Sequence, residues 1–140
     1  IFDSPISLPN STNFQMISTG AYHSIFLDIE GQIWCCGMNT HGQCGDPSQT
    51  KITKIPTLCP TPTIKIRMIA AGGNHSLFID DTGTLWGFGS NEFGQIGSEP
   101  REACVHQPRK SDLDAKITHI SLGFDFSMVV DEEKKLFGFG

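Results

Sequence analysis

A unit of 51 or 52 residues recurs along this chain, and it constrains the fold more than any other feature. Residues 85–97 read LWGFGSNEFGQIG, and residues 33–45 read IWCCGMNTHGQCG. Residues 136–140 repeat the opening as LFGFG. Trp34, Trp86 and Phe137 lie 52 and 51 residues apart, as do Gly20, Gly72 and Gly123. Pro5, Pro56 and Pro108 are spaced 51 and 52, so the one-residue difference falls between Pro56 and Gly72, in a connecting stretch. Landmarks that stay in step at such a period mark a stack of like units, each unable to bury its apolar face alone.

Each unit reads as four short strands. The first covers 14–19, 64–71 and 115–122, and is closed by Gly20, Gly72 or Gly123 at a turn expected to need positive φ. The second is HSIFLD at 23–28, HSLFID at 75–80 and FSMVVD at 126–131. A hairpin tip follows, with Gly31 and Gly83 in the first two units, as a bulged turn requires. The third strand is QIWCCG, TLWGFG or KLFGFG. A long loop, 38–54 or 90–107, then leads to a strand around Pro5, Pro56 or Pro108. Proline cannot donate to a ladder, so this strand lies at an edge. No helical periodicity competes.

Four antiparallel strands repeated at this period predict an all-β chain, a β-propeller of four-stranded antiparallel blades. The whole chain, 1–140, divides as 1–13 (outer strand of a preceding blade), 14–58, 59–110 and an incomplete 111–140. The glycines of WGFG are expected to let an aromatic of the next blade lie against the backbone.

Composition excludes several classes. Hydrophobic content is 38% and charged content 18%, unlike a disordered or coiled-coil chain. Net charge is −5, against a broad basic surface for nucleic acid. The longest apolar runs fall far short of a membrane span. Five cysteines, an odd number without recurring spacing, predict reduced thiols rather than a disulfide framework, and so the cytoplasm or nucleus.

No constellation for chemistry stands out. His23-Ser24 and His75-Ser76 recur, but adjacent strand residues point to opposite sides, so neither serine takes its base from its neighbour. The histidines read as ties between the turn and a backbone carbonyl or the next blade. Cys36, His41 and Cys44 have a spacing zinc would accept. In register, Cys36 stands at Phe88 and Cys44 at Ile96, which reads as core. Gly87-Phe88-Gly89 lies within a strand and lacks the third glycine of a dinucleotide loop. No metal and no cofactor is expected. Seven of the fifteen acidic residues cluster at the hairpin tips, which reads as a solvated rim with polar turns.

The pattern G-x-x-H-S, a hairpin, then L-W-G-F-G-x-N-x-x-G-Q-x-G closely resembles the repeat of the regulator of chromosome condensation family. The Trp-Asp ending of WD repeats and the recurring double glycine of kelch repeats are absent. The resemblance implies a seven-bladed ring of roughly 350 residues, of which this chain holds about three blades' worth. Two arrangements fit: a piece of a longer propeller, or two chains exchanging edge strands head to tail.

The resemblance also implies a face for partners. In the family's founding members, the G-x-x-H turns and long loops contact a Ran-like small GTPase and promote nucleotide exchange. An acidic turn residue and a wedge in one loop take part. Here the turn positions are Ala21-Tyr22, Gly73-Asn74 and Phe124-Asp125, and Asp125 alone is acidic. Loops 38–54 and 90–107 show no added wedge. The expected function is therefore a protein-interaction module without catalytic chemistry, and the alternative is a guanine-nucleotide exchange factor. The expected partner-binding face comprises Tyr22, His23, Asn74, His75, Phe93, Arg101 and Asp125.

Overall fold

Short alternating segments separated by glycine turns fold back on themselves as antiparallel meanders. The computed structural model describes residues 12–62 and 65–140. Strands β1 (Phe14–Thr19), β2 (His23–Asp28), β3 (Ile33–Met38) and β4 (Ile52–Leu58) pair in chain order as one sheet. Strands β5 (Ile66–Ala71), β6 (His75–Asp80), β7 (Leu85–Ser90) and β8 (Cys104–Lys110) form the second. Strands β9 (Ile117–Leu122), β10 (Ser127–Asp131) and β11 (Leu136–Phe139) form the third. No helix occurs among the described residues. The strand expected around Pro5 and the start expected at Ile64 lie outside them.

The sheets stack as propeller blades because each has two apolar faces. Ile25, Leu27 and Ile33 of the first blade pack against Ile69, Phe78 and Phe88 of the second. Leu77, Ile79 and Leu85, on the other face of the second, meet Val129, Ile120 and Phe137 of the third. All six residues of β6 are therefore buried, whereas β2 and β10 alternate. Backbone bonds staple each seam at both ends. Ala21 N–H donates to Gly72 O at 3.2 Å and Ile66 N–H to Gly31 O at 3.2 Å. At the second seam the donors are Gly73 to Phe124 O, at 3.0 Å, and Ile117 to Gly83 O, at 2.8 Å.

Two expectations about glycine are corrected. Gly20, Gly72 and Gly123 are not among the residues with positive φ. They are glycine for room: a Cβ on Gly20 would meet the His23 ring at 2.6 Å, and one on Gly123 would strike the Phe126 ring. The glycines of WGFG do not lie under an aromatic of the next blade either. A Cβ on Gly87 would meet Ile96 at 2.8 Å, within its own blade. Gly89 takes φ +104° where the strand end passes His75. The next blade's aromatics instead lie against the turn glycines, Phe88 at 3.4 Å from a Cβ on Gly45 and Phe139 at 3.1 Å from one on Gly97.

The hairpin tips are built on a buried aspartate. Asp28 Oδ1 accepts from the N–H of Glu30 and Gln32, and its Oδ2 accepts from Trp34 Nε1 at 2.8 Å. Asp80 repeats this with Thr82, Thr84 and Trp86. Burial alone would raise the Asp80 carboxyl; hydrogen bonds from the Thr82 hydroxyl, Trp86 and the Thr84 and Thr82 amides outweigh it and hold it below the usual range. Asp28, Asp80 and Asp131 thus belong to the turn chemistry and not to the solvated rim. Gly31 and Gly83 adopt φ near +85°, as the turn requires, and Lys134 takes φ 69° at the same place in the third blade. A left-handed conformation costs a side chain about 1–2 kcal/mol. Lys134→Gly should therefore stabilise the chain by about 0.5–1 kcal/mol once glycine's own entropy cost is subtracted, read as a rise in the thermal midpoint.

Candidate functional site: the loop face

Antiparallel pairing brings the G-x-x-H turns and the long loops to one end of the blades. Met38 N–H donates to Tyr22 O and Ser90 N–H to Asn74 O, each at 2.8 Å, so every loop starts against a turn. The hairpin tips lie at the other end.

Below this face a buried relay of hydrogen bonds crosses each seam. His23 Nε2 lies 2.8 Å from Ser76 Oγ in the next blade. The Ser76 hydroxyl donates to the Gln43 carbonyl of the first blade at 2.9 Å. Its proton is thereby committed, so the imidazole is the Nε2–H tautomer and donates. His75, Ser127 and Gln95 repeat the arrangement at 2.9 and 2.6 Å. Nδ1 of each histidine is buried without a partner. Burial pushes both imidazoles down to about 4, helped at His75 by the nearby His23. Both are neutral at pH 7.

The Gly-Gln-x-Gly segment supports the loops from within. Asn39 Oδ1 accepts from Cys44 N–H at 2.9 Å, and Asn91 Oδ1 from Ile96 N–H at 3.0 Å. Gln43 Oε1 accepts from His41 N–H, and its Nε2 donates to Asn74 Oδ1 across the seam at 3.1 Å. Gln95 Oε1 accepts from Phe93 N–H at 3.0 Å. These amides are buried, and they serve architecture.

Among the side chains that remain accessible between exposed polar loop residues are three aromatics. Tyr22 and Phe93 are more than half exposed, at 59% and 53%. Arg101 lies over Gly94, beside Phe93, and pairs loosely with Glu99 at 3.5 Å. Asn74 and Asp125 are half-buried. His23 and His75 present no ring to the surface, being 3% and 0% exposed, so their place on the expected face is corrected: they join blades instead. Phe124, absent from the expected set, is 56% exposed and packs on Gly73 of the preceding turn. Its signal was present in the sequence, since it stands at the turn position that Ala21 and Gly73 hold in the other two blades.

Two thiols depart from the expectation of reduced cysteines. Cys35 and Cys44 are joined as a disulfide, with Cα atoms 5.3 Å apart. The neighbouring blade supplies the reason. Cys35 stands at Gly87 and Cys44 at Ile96, and a Cβ on Gly87 would already meet Ile96, so two cysteines there must touch. Cys36, His41 and Cys44 do not converge as ligands: Cys44 faces Cys35, and His41 Nδ1 lies 3.1 Å from Thr40 Oγ1 at the surface. Cys59 is buried, which pushes its thiol up to about 12, with Asp46 adding to the shift.

The repeat seen in sequence and stacked in space matches a known profile. The regulator of chromosome condensation (RCC1) repeat aligns with residues 30–79 and 82–130, and a second profile of the same repeat with 66–95. The chain belongs to the regulator of chromosome condensation repeat family. It is similar to the mouse (Mus musculus) protein RCC2, 34% identical over 122 residues, covering 86% of this chain and 23% of that protein. Among solved structures, human WBSCR16 superposes with a TM-score of 0.87 at 25% identity, over 94% of this chain and 34% of the other. Prp20p of Saccharomyces cerevisiae superposes at 0.78 and 24% identity, over 90% and 33%. The chain thus spans about a quarter of the length of its mouse relative and about a third of these propellers.

For this member of the family the relay makes stability depend on pH. Unfolded histidine titrates near 6.5 and the folded rings near 4, so between those values the unfolded chain holds the extra protons. Stability is full above pH 6.5 and falls as pH drops towards 4, by up to about 3 kcal/mol per histidine. Denaturant melts at pH 7, 5.5 and 4.5 measure this loss. The third blade already carries Phe126 at this position, and the double substitution His23→Phe, His75→Phe should flatten the profile.

Proposed function

We propose that this chain is a protein-interaction module that docks a partner on its loop face and performs no chemistry of its own. The observation that carries the reading is the exposure of Tyr22, Phe93 and Phe124 on one end of the blades. Aromatic side chains beside an arginine are what contact surfaces concentrate. Arg101, Asn74 and Asp125 supply polar contacts around them. The histidines, buried and neutral, hold the seam beneath. A reducing compartment, cytoplasm or nucleus, fits the free thiols of Cys36, Cys59 and Cys104, and the Cys35–Cys44 bond is shielded by burial.

Photo-crosslinking tests the reading. A benzophenone amino acid at Tyr22, Phe93 or Phe124 should give discrete protein adducts in cell extract that excess unlabelled chain abolishes. The same group at Glu30 or Glu132, on the opposite face, should give none. Adducts confined to Glu30 and Glu132 would refute it.

A second reading is guanine-nucleotide exchange on a Ran-like small GTPase. Its support is Asp125 in the third blade's turn, where Phe126 takes the histidine's place, together with the yeast relative Prp20p, described for its binding to Gsp1p and histones. Release of a fluorescent GDP analogue from a Ran-type GTPase separates the two. The reading places exchange only in a full propeller carrying these blades: interaction without chemistry leaves the release rate unchanged on adding that propeller, whereas exchange activity accelerates it and is lost in Asp125→Ala.

A further inference from the structure

A second surface stands apart from the loop face, on the outer rim of the first blade. Strand β4 closes that sheet and, among the described residues, pairs with β3 alone. It presents Ile52, Ile55 and Leu58 to solvent at 57%, 69% and 43% exposure. The second blade, flanked on both sides, shows what neighbouring blades cover. Met38 pairs with Ile52 as Ser90 pairs with Cys104, and Trp34 pairs with Leu58 as Trp86 pairs with Lys110. The counterparts of Ile52, Ile55 and Leu58 are therefore Cys104, Gln107 and Lys110, and Gln107 and Lys110 remain exposed. Ring packing does not reach those two positions, so Ile55 and Leu58 are rim residues whatever lies beside the first blade.

Charge sets this rim apart as well. Residues 47–62 carry Lys51 and Lys54 and no aspartate or glutamate, within a chain of net charge −5. Neither lysine forms an ion pair among the described residues. On the second blade, by contrast, Arg109 is held by Glu102 at 2.9 Å. An edge strand ordinarily guards itself with lysine and proline and keeps large aliphatics off its exposed faces. Here Lys54 and Pro56 are present, yet three aliphatics stand among them. Pro56 has no N–H to offer, which disfavours continuous strand pairing with a second copy. Recognition must then come from side chains: aliphatic contact with Ile55 and Leu58, and carboxylates for the lysines.

We propose that the β4 rim docks an extended acidic segment bearing aliphatic side chains, contributed by a partner protein. The site is independent of the loop face and does not rest on the function proposed for it. Fluorescence anisotropy with the full 140-residue chain tests it, using a labelled peptide of alternating glutamate and valine and a matched one of lysine and valine. The glutamate peptide should bind saturably, and the lysine peptide at least ~10-fold more weakly. Ile55→Ser with Leu58→Ser should weaken the glutamate peptide by ~10-fold or more, since two aliphatic contacts are lost. Lys51→Glu should weaken it too and reduce its salt dependence. Gln107→Ser, on the second blade's rim, should change nothing, and circular dichroism confirms that each variant folds. The proposal is overturned by absence of saturable binding, by equal binding of both peptides, or by full binding in the double serine variant.

Discussion

The hydrogen bond from His23 to Ser76, and its copy from His75 to Ser127, is the interaction on which the face above depends. Each serine hydroxyl is shared between an imidazole of the preceding blade and a carbonyl of that blade's Gly-Gln-x-Gly turn. One side chain therefore fixes three things at once: the height of the next blade, the orientation of the histidine and the path of the long loop. The site is buried, so the bonds are strong and a charge there is costly. The lowered imidazole pKa and the rigidity of the seam have the same cause. Gly20 and Gly72 lack side chains because the rings lie where a Cβ would be.

The third blade relaxes this scheme in three places. Phe126 replaces the histidine, Phe137 replaces the tryptophan that bonds the tip aspartate, and Lys134 occupies a left-handed position that glycine fills elsewhere. Its strands still form and pair, because Val129, Ile117 and Phe137 supply the apolar face that stacks on Leu77 and Ile79. Stacking thus carries the architecture, and the polar devices refine it. The surfaces differ more than the cores. Tyr22, Asn74 and Asp125 share one turn position, and Ile55 and Gln107 one rim position. Such substitutions are cheap where solvent, rather than a neighbouring blade, meets the side chain.

Much of this was legible in the chain itself. The strands followed from alternation and from copies kept in step, and a residue's role could be read by comparing it with its counterparts. Ser76 under His23 was not legible, because it lies 53 residues away and on the next sheet. The glycine roles were misread for a related reason. Sequence shows where a side chain is missing, but not which atoms take its space: Ile96 above Gly87, the imidazole above Gly20, Phe139 against Gly97. Cys36 and Cys44 read as core residues in register, and the pairing of Cys44 with Cys35 became visible only where the loop folds back over its own strand.

The sequence alone determined the repeat, the strand order within each blade and the absence of a helical pattern, because these depend on local alternation and on residues that turns demand. Tertiary structure decided which polar residues are buried and which aromatics are free. His75 and Phe124 both stand in the turn that leads into a blade's second strand, yet one is sealed under the next blade and the other reaches solvent. That difference arises when one sheet is laid on another, and burial, tautomer and accessibility are settled there together.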